Sequence, residues 1–444
     1  MLKRKMYNRL VNWKKTHGTE CLLVCGARQV GKSYVINEFG KAEYEHFVTI
    51  DFVKSPELKS IFTESLSADA IYSRMTLTIP GIRLVPGKTL IFLDEIQECP
   101  EARSAFKYLA QDGRFDVIGS GSLLGIRFRE MGNAPSLPVG YERQITMHPL
   151  DFEEFLWARG YSPDAVALLR EYLLKMEPVP QSIHQTMMRQ LREYLAIGGM
   201  PAVVSSFAEA GDYGRAHDVQ TMLHALYLDD IAKYAPANER VKARACYLSL
   251  PAQLAKENTR FKYATVEKRS SARKYEGSVD WICGANMTLR STCVSTPDFP
   301  LASYEQPDRF RLYANDTGML MAMFDFSMKQ AVVDNSLKGP MKGGLYENLI
   351  GSMLAQKDIP LRYWMSQNAK NEIEFLIEQN AAVSPVEVKA SRGSTASLNA
   401  VLERESIKVG YKLIDGNIGQ DGKKITLPLY MAMFLLDGSC AGRR

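Results

Sequence analysis

The chain has 444 residues, of which 46% are hydrophobic and 24% charged, and its formal net charge is +5. This length allows two or three domains of roughly 150 residues each, and the ordinary composition excludes a largely disordered chain. No apolar run approaches the roughly 20 residues that span a bilayer, and a net charge this small does not by itself argue for nucleic-acid binding.

The first informative element is a loop, residues 26–33, whose sequence GARQVGKS fits the phosphate-binding pattern G-x-x-x-x-G-K-[ST]. The apolar residues 21–25 precede it like a buried parallel strand, and residues 32–39 are compatible with a helix. In a strand–loop–helix unit, backbone N–H groups and the helix N-terminus attract the phosphates of a nucleotide. The alternative is a glycine-rich turn with an unrelated lysine.

Within this loop we expect Lys32 to reach the β- and γ-phosphates and Ser33 to bind Mg²⁺. The predicted nucleotide contacts are Gly26, Ala27, Arg28, Gln29, Val30, Gly31, Lys32, Ser33 and Tyr34.

A second apolar run, residues 89–93, ends in two acids, Asp94 and Glu95. We expect Asp94 to bind Mg²⁺ through water, which completes the metal site begun by Ser33. Glu95, the next residue, is placed to polarise the attacking water as a general base. Two acids after a strand are otherwise typical of a solvated turn, but the five apolar residues ahead of them favour the metal site.

A further strand, predicted at residues 115–118, runs into a Gly-Ser-Gly-Ser segment. We expect Ser120 to sense the γ-phosphate, with Ser122 as the second candidate and a plain turn as the alternative. Strands are also predicted at residues 45–51 and 144–148, which gives five strands in an αβα core. A guanine-reading N-K-x-D pattern does not occur in the sequence, so ATP is the expected nucleotide.

Three arginines follow this region, Arg127, Arg129 and Arg143. Each is a candidate arginine finger, acting within the chain or across a subunit contact of a homo-oligomer. Solvation at the surface is the alternative for each of them.

These motifs carry a family resemblance. The segments GARQVGKS, FLDEIQECP, IGSGSLLG and PVGYERQITMHPLDFEEFLWA resemble a large prokaryotic group of AAA-type ATPases that carry a C-terminal domain of unknown function. Residues 195–204, 227–234 and 311–320 match its pattern too, so the resemblance extends along nearly the whole chain. One position departs from it, because many members have Arg where this chain has Tyr141.

The middle of the chain is predicted to be helical over residues 151–236, with a turn at Gly198-Gly199-Met200-Pro201. From residue 241 to 320, short helices are followed by strands at 289–294 and 309–313, an order that resembles the winged helix expected for the family. Its basic run comprises Lys262, Lys268, Arg269, Arg273 and Lys274. Contact with DNA phosphates is one interpretation. A protein-docking module and a merely solvated run are the alternatives.

The C-terminal region carries an acid on one predicted strand, Glu374, and an E-x-K pattern, Glu387 and Lys389, on the next. This spacing is typical of the restriction-endonuclease-like fold. Strand alternation places Glu387 and Lys389 on one face. Glu347, on a helix, would complete a Mg²⁺ site with Glu374 and Glu387, and Lys389 would position or deprotonate the attacking water. Glu374 stands where that fold more often has Asp, and a vestigial or regulatory domain is the alternative.

Together these patterns predict a P-loop AAA-type ATPase domain (1–160), a helical region (161–236), a winged-helix-like module (237–325) and a restriction-endonuclease-like α/β domain (326–444). The predicted function is Mg²⁺-dependent ATP hydrolysis whose nucleotide state gates a DNA-binding, nuclease-like C-terminal half. The alternative is an ATP-dependent switch or scaffold that binds protein partners through an inactive nuclease-like domain. Seven cysteines without zinc-type spacing, and a start without a signal peptide, favour the cytoplasm and no membrane contact.

Overall fold

The computed structural model describes residues 2–122, 138–255, 260–390 and 395–436. The chain divides into two compact units. The N-terminal unit comprises Lys3–His148 and Gly284–Asn286, and the C-terminal unit comprises Met1–Leu2, Pro149–Cys283 and Met287–Arg444. Across the described ranges, no helix combines the length and apolar character needed to cross a bilayer.

The N-terminal unit is built on a five-stranded sheet in which all neighbouring strands are parallel. The strands are β1 (Cys21–Gly26), β2 (His46–Asp51), β3 (Thr89–Asp94), β4 (Asp116–Ser122) and β5 (Glu142–Thr146), and their order is β2-β3-β4-β1-β5. The five predicted strands are confirmed. Because the strands are parallel, the carboxyl ends of β1, β3 and β4 meet at one edge of the sheet.

Helices cover both faces of this sheet. On one face, Leu23 and Leu93 join a buried cluster with helix side chains such as Met75 and Phe106. On the other face, the ring of Phe47 lies so close to Gly40 that a Cβ there would be 2.4 Å from it. The helices are α1 (Lys5–Thr16), α2 (Lys32–Glu43), α3 (Ala68–Thr78), α4 (Pro100–Ser104) and α5 (Phe106–Asp112), with 3₁₀ turns at Pro56–Phe62 and Ile96–Glu98. The predicted αβα core is therefore confirmed.

The C-terminal unit begins with helices, as the apolar spacing predicts. They are α6 (Phe152–Ala158), α7 (Pro163–Lys175), α8 (Gln181–Ile197), α9 (Pro201–Ala210), α10 (Tyr213–Tyr234), α11 (Arg240–Leu248), α12 (Leu250–Leu254), α13 (Tyr263–Val266) and α14 (Ala272–Gly284). The helical middle is confirmed.

The glycine turn between α8 and α9 is fixed by a buried carboxylate. The Gly199 N–H donates to Asp316 Oδ2 at 2.6 Å, and the Met319 N–H donates to Asp316 Oδ1 at 2.9 Å. A Cβ on Gly199 would lie 2.1 Å from the Leu150 carbonyl oxygen, so only glycine fits. Two segments of the family pattern, 195–204 and 311–320, therefore meet at this point. Burial raises the pKa of Asp316 to about 6.

Two mixed sheets complete the C-terminal unit. The first has the order β7-β6-β8-β9, and the second has the order β10-β11-β12-β14-β13. The strands are β6 (Thr288–Val294), β7 (Glu305–Ala314), β8 (Arg362–Met365), β9 (Glu372–Ile373), β10 (Phe375–Gln379), β11 (Ala382–Lys389), β12 (Gly410–Ile414), β13 (Gly419–Asp421) and β14 (Lys424–Pro428). The accompanying helices are α15 (Thr317–Met321), α16 (Phe326–Val333), α17 (Pro340–Ala355) and α18 (Ala396–Leu402), with 3₁₀ turns at Leu301–Tyr304 and Leu429–Phe434.

The first of these sheets joins distant parts of the sequence. Strand β6 pairs antiparallel with β7 and parallel with β8, so that Thr292 faces Arg362 and Val294 faces Trp364. The sheet thus crosses the boundary predicted at residues 325/326. The winged-helix-like and restriction-endonuclease-like descriptions of this half, and the four-domain division, stay predictions.

Candidate nucleotide site and acidic site

The loop after β1 has a backbone that its sequence dictates. Gly26 has φ +155°, and a Cβ there would lie 2.2 Å from the Met147 carbonyl oxygen. Gly31, the residue before α2, has φ +90°, in the region that favours glycine. Gln29 also has a positive φ, 64°. Gly26 therefore permits the close approach of the Met147 backbone, and Gly31 permits the left-handed turn before α2.

Lys32 begins α2 and is buried, with its ammonium folded over the loop. Its Nζ donates to the carbonyl oxygens of Gly26 at 3.1 Å and Ala27 at 2.9 Å. Burial lowers the pKa of Lys32, and the negative charges of Glu95 and Asp94 oppose that shift. The lysine of the loop and the two acids at the end of β3, Asp94 and Glu95, therefore lie within electrostatic reach of one another. Ser33 is half-buried and Tyr34 exposed.

The two acids at the end of β3 are held by different contacts. Asp94 Oδ1 accepts a hydrogen bond from the Glu95 N–H at 3.0 Å and another from the buried Ser120 hydroxyl. Glu95 has a left-handed backbone, φ +51°. Its Oε2 accepts a hydrogen bond from the Gln97 side-chain amide. The structure thus brings Lys32, Asp94, Glu95 and Ser120 to one edge of the sheet, while Ser122 is the last residue of β4.

Two residues of this site escape sequence reasoning. Arg4, ahead of α1, donates to the loop carbonyl of Val30 at 2.8 Å and to the His148 carbonyl at 2.6 Å. Gln97 is buried and contacts Glu95. The sequence gives no signal for Arg4, whereas Gln97 belongs to the FLDEIQECP segment and could have been singled out there.

The candidate arginine fingers have different outcomes. Arg127 and Arg129 lie outside the described residues. Arg143 is on β5, and its Nε is 2.8 Å from Glu20 Oε2 in an ion pair within the same unit. The finger role stays a prediction.

The predicted basic run is exposed, but its surface is mixed in charge. Lys274 forms an ion pair with Glu267 at 2.7 Å, and Asp280, further along α14, pairs with Arg290 at 2.9 Å. Lys268, Arg269 and Arg273 are exposed. DNA contact by this surface stays a prediction.

The C-terminal unit brings Glu374, Glu387 and Lys389 together, and the charge of Glu347 acts on both Glu374 and Lys389. Glu374 falls at the break between β9 and β10, where the chain passes from one sheet to the other. Lys389 Nζ donates to Glu374 Oε1 at 2.8 Å and lies 3.7 Å from Glu387 Oε1. The Val388 N–H donates to Glu374 Oε2 at 3.2 Å. The distance of 3.7 Å between Lys389 and Glu387 is consistent with the prediction that both side chains lie on one face of the strand.

Glu387 is the member of this group with a buried carboxylate oxygen that accepts no hydrogen bond from the described residues. Only 1% of its surface is exposed, and its Oε2 is buried without a hydrogen-bond partner among the described residues. Burial raises the pKa of Glu387 to about 7 and also raises the pKa of Glu374. Burial opposes the charged form of Lys389, but the charge and hydrogen bond of Glu374 and the charges of Glu387 and Glu347 together outweigh it, so the Lys389 pKa is raised.

Glu347, the fourth member, also forms hydrogen bonds outside this group. Its Oε1 accepts from the fully buried Arg311 guanidinium at 2.7 Å and from the Tyr313 hydroxyl at 2.5 Å. Arg311 also contacts Glu372. Within the described ranges, no group of three or more His, Cys, Asp or Glu side chains is arranged to hold a metal ion. Sequence reasoning missed Arg311 and Tyr313, which lie more than 30 residues from Glu347.

Family models match three successive segments of the chain. Residues 18–156 match the AAA domain. Residues 188–330 match a domain of unknown function, DUF8612, and residues 342–430 match a second one, DUF4143. The first segment is thus an AAA-type P-loop ATPase domain. No curated protein matches the chain.

Several solved structures are similar to the chain at low identity. The Walker-type ATPase PABY2304 of Pyrococcus abyssi is 13% identical, with a TM-score of 0.44, over 73% of this chain and 96% of that chain. The ORC1 protein of Aeropyrum pernix, in complex with DNA, is 10% identical, with a TM-score of 0.31, over 76% and 93%. AMPPCP-bound DnaA from Aquifex aeolicus is 12% identical, with a TM-score of 0.29, over 63% and 87%. Similarity at this level carries no functional assignment.

Proposed function

We propose that the chain binds ATP together with Mg²⁺ and hydrolyses it in the N-terminal unit. The observation that carries the proposal is the meeting of the Lys32 ammonium with the Asp94 and Glu95 carboxylates at the carboxyl edge of a parallel sheet. The match of residues 18–156 to the AAA domain supports it.

Each residue of this site has a distinct task. The loop N–H groups and Lys32 bind the phosphates, and the ammonium exchanges its carbonyl partners for phosphate oxygens. The Ser33 hydroxyl and the Asp94 carboxylate are oxygen donors of the kind that Mg²⁺ prefers, and Ser120 orients that carboxylate. The ion, when bound, neutralises charge on the phosphates. Glu95 takes a proton from water while the water oxygen bonds to the γ-phosphorus and the bond to the ADP oxygen breaks.

The test is a comparison of ATP binding and turnover. Lys32→Ala should lose both, because the ammonium that faces the phosphates is gone. Glu95→Gln should keep binding but lower kcat by about 10²- to 10³-fold, because shape is kept and the base is lost. Glu98→Gln is the matched control, since that acid pairs with Lys59 instead, at 3.7 Å. Turnover by Glu95→Gln at the wild-type rate would show that the base is another group.

The proposal extends to the C-terminal unit, where the nucleotide state would gate a DNA-binding, nuclease-like half. It is supported by the buried Glu387 oxygen, which has no hydrogen-bond partner in the described part of the chain, and by the ammonium of Lys389 beside two acids. A divalent ion at this oxygen would activate water for phosphodiester hydrolysis. Glu387 and Glu374 would hold the ion, and Lys389 would orient the water.

A second candidate function is an ATP-dependent switch or scaffold for protein partners, with an inactive nuclease-like domain. The observation in its favour is the pairing of Glu347 with Arg311 and Tyr313, which occupies one of the three predicted metal ligands. In this function, neither DNA cleavage nor a steep salt dependence of DNA binding occurs.

One experiment separates the two. Plasmid and single-stranded DNA are incubated with Mg²⁺ or Mn²⁺, with and without ATP, and wild type is compared with Glu387→Ala and Lys389→Ala. Cleavage that both substitutions abolish supports the nuclease. Absence of cleavage in protein that hydrolyses ATP favours the switch.

A further inference from the structure

We infer that Gln97 is a positioning residue of the proposed ATP hydrolysis, which holds the Glu95 carboxylate and offers its own amide oxygen to the attacking water. The inference rests on the proposed function of the N-terminal unit. Three observations support it: the contact between the two side chains, the burial of Gln97, and an amide oxygen to which no described residue donates a hydrogen bond.

The contact fixes which end of the Gln97 amide faces Glu95. An ionised carboxylate only accepts hydrogen bonds, so the atom that approaches Glu95 Oε2 must be the NH₂ group. The opposite atom, Gln97 Oε1, is therefore a carbonyl oxygen. It is buried and has no hydrogen-bond partner among the described residues. A buried acceptor left without a donor is energetically unfavourable. A water held between this oxygen and the Glu95 carboxylate removes that cost.

Glu95 requires such a restraint because of its neighbour. The Lys32 ammonium is close enough for the Glu95 charge to act on the lysine pKa. A glutamate with three side-chain torsions would otherwise turn towards that ammonium, and an ion-paired carboxylate is a poor base. Gln97 competes for the carboxylate without adding charge. The left-handed backbone of Glu95, φ +51°, and the 3₁₀ turn at Ile96–Glu98 place the two side chains side by side.

This role predicts a loss of turnover without a loss of nucleotide binding. Gln97→Leu has nearly the same size as glutamine, but it donates nothing to the Glu95 carboxylate and offers no acceptor to the water. We therefore expect it to lower kcat at least 10-fold while the affinity for the nucleotide is kept.

The experiment measures kcat together with the Kd of a non-hydrolysable ATP analogue. The Kd should stay within about twofold in Gln97→Leu, which also shows that the site is folded; Gln97→Asn, a shorter amide, provides a second variant. Gln111→Leu is the matched control, because that exposed glutamine donates to the Tyr141 hydroxyl, at 2.8 Å, and not to Glu95.

The outcomes separate this inference from the function on which it rests. Wild-type kcat in Gln97→Leu overturns the role of Gln97 while ATP hydrolysis stands. A fall in kcat accompanied by an equal fold-rise in Kd makes the residue structural and also overturns it. Absence of hydrolysis by the wild-type protein overturns both.

Discussion

Replacement of Glu387 by Gln is expected to stabilise the protein at alkaline pH. On folding, burial raises the pKa of this carboxyl from its usual 4.5 to about 7. At about 1.4 kcal/mol per pKa unit, ionising it costs the folded state about 3 kcal/mol. Below pH 4.5 both the folded and the unfolded chain are protonated, so nothing is lost. The free energy of unfolding falls as the pH rises towards 7, and above that the loss is complete.

A neutral amide avoids this loss. The Lys389 ammonium loses one partner in Glu387→Gln but keeps Glu374 at 2.8 Å. The expected net gain is therefore about 1–3 kcal/mol at pH 8.5 and below about 1 kcal/mol at pH 5. For a unit of this size, such a gain raises Tm by about 2–6 °C.

The assay is thermal unfolding followed by calorimetry at pH 5 and pH 8.5, in buffer with EDTA. Glu405→Gln, at an exposed carboxyl, is the control and should not change Tm at either pH. A Tm of Glu387→Gln below wild type at pH 8.5 would refute the reasoning, and so would a difference that is the same at both pH values. Added Mn²⁺ should then raise the Tm of wild type more than that of Glu387→Gln.

Three further outcomes are expected. Ser120→Ala removes the hydroxyl bound to Asp94, so the Mg²⁺ concentration for half-maximal ATPase should rise about 10-fold or more; an unchanged Mg²⁺ requirement would contradict this role. Gly199→Ala places a Cβ 2.1 Å from the Leu150 carbonyl oxygen and should lower the free energy of unfolding by about 1–3 kcal/mol, measured by urea unfolding. Gly343→Ala, where a Cβ would meet no atom of the described ranges within 4 Å, should be nearly neutral. EDTA should abolish ATP hydrolysis, and excess Mg²⁺ should restore it; hydrolysis that persists in EDTA would exclude a metal role.

The sequence was most informative where structure is local. The six residues of β1 and the six of β3 are all buried. Short, continuous apolar runs of this kind predict strands in the core of a parallel sheet. The glycines of the loop and the acids at the end of β3 lie next to those runs, so their placement follows from the strands.

Contacts between distant residues could not be predicted in the same way. Ser120 reaches Asp94 across 26 positions, and Arg311 reaches Glu347 across 36. Both depend on which strands become neighbours, which residue spacing does not reveal. Glu374 was expected within a continuous strand, yet it falls in the break between two sheets. Periodicity alone cannot show where a strand changes its partners.

The pairing of β6 with β8 bears on how this chain could be dissected or recombined. Strand β6 lies in the segment matched by DUF8612, and β8 lies in the segment matched by DUF4143. The sequence alone would suggest the residues between these two segments as a domain boundary. A fragment that starts at residue 342 would leave the edge of β8 bare, and bare edges favour aggregation. In a chimera joined there, a β6 strand from another protein would have to pair with β8 of this chain in the correct register. These two sequence families are therefore expected to exchange as one piece, with junctions ahead of Thr288.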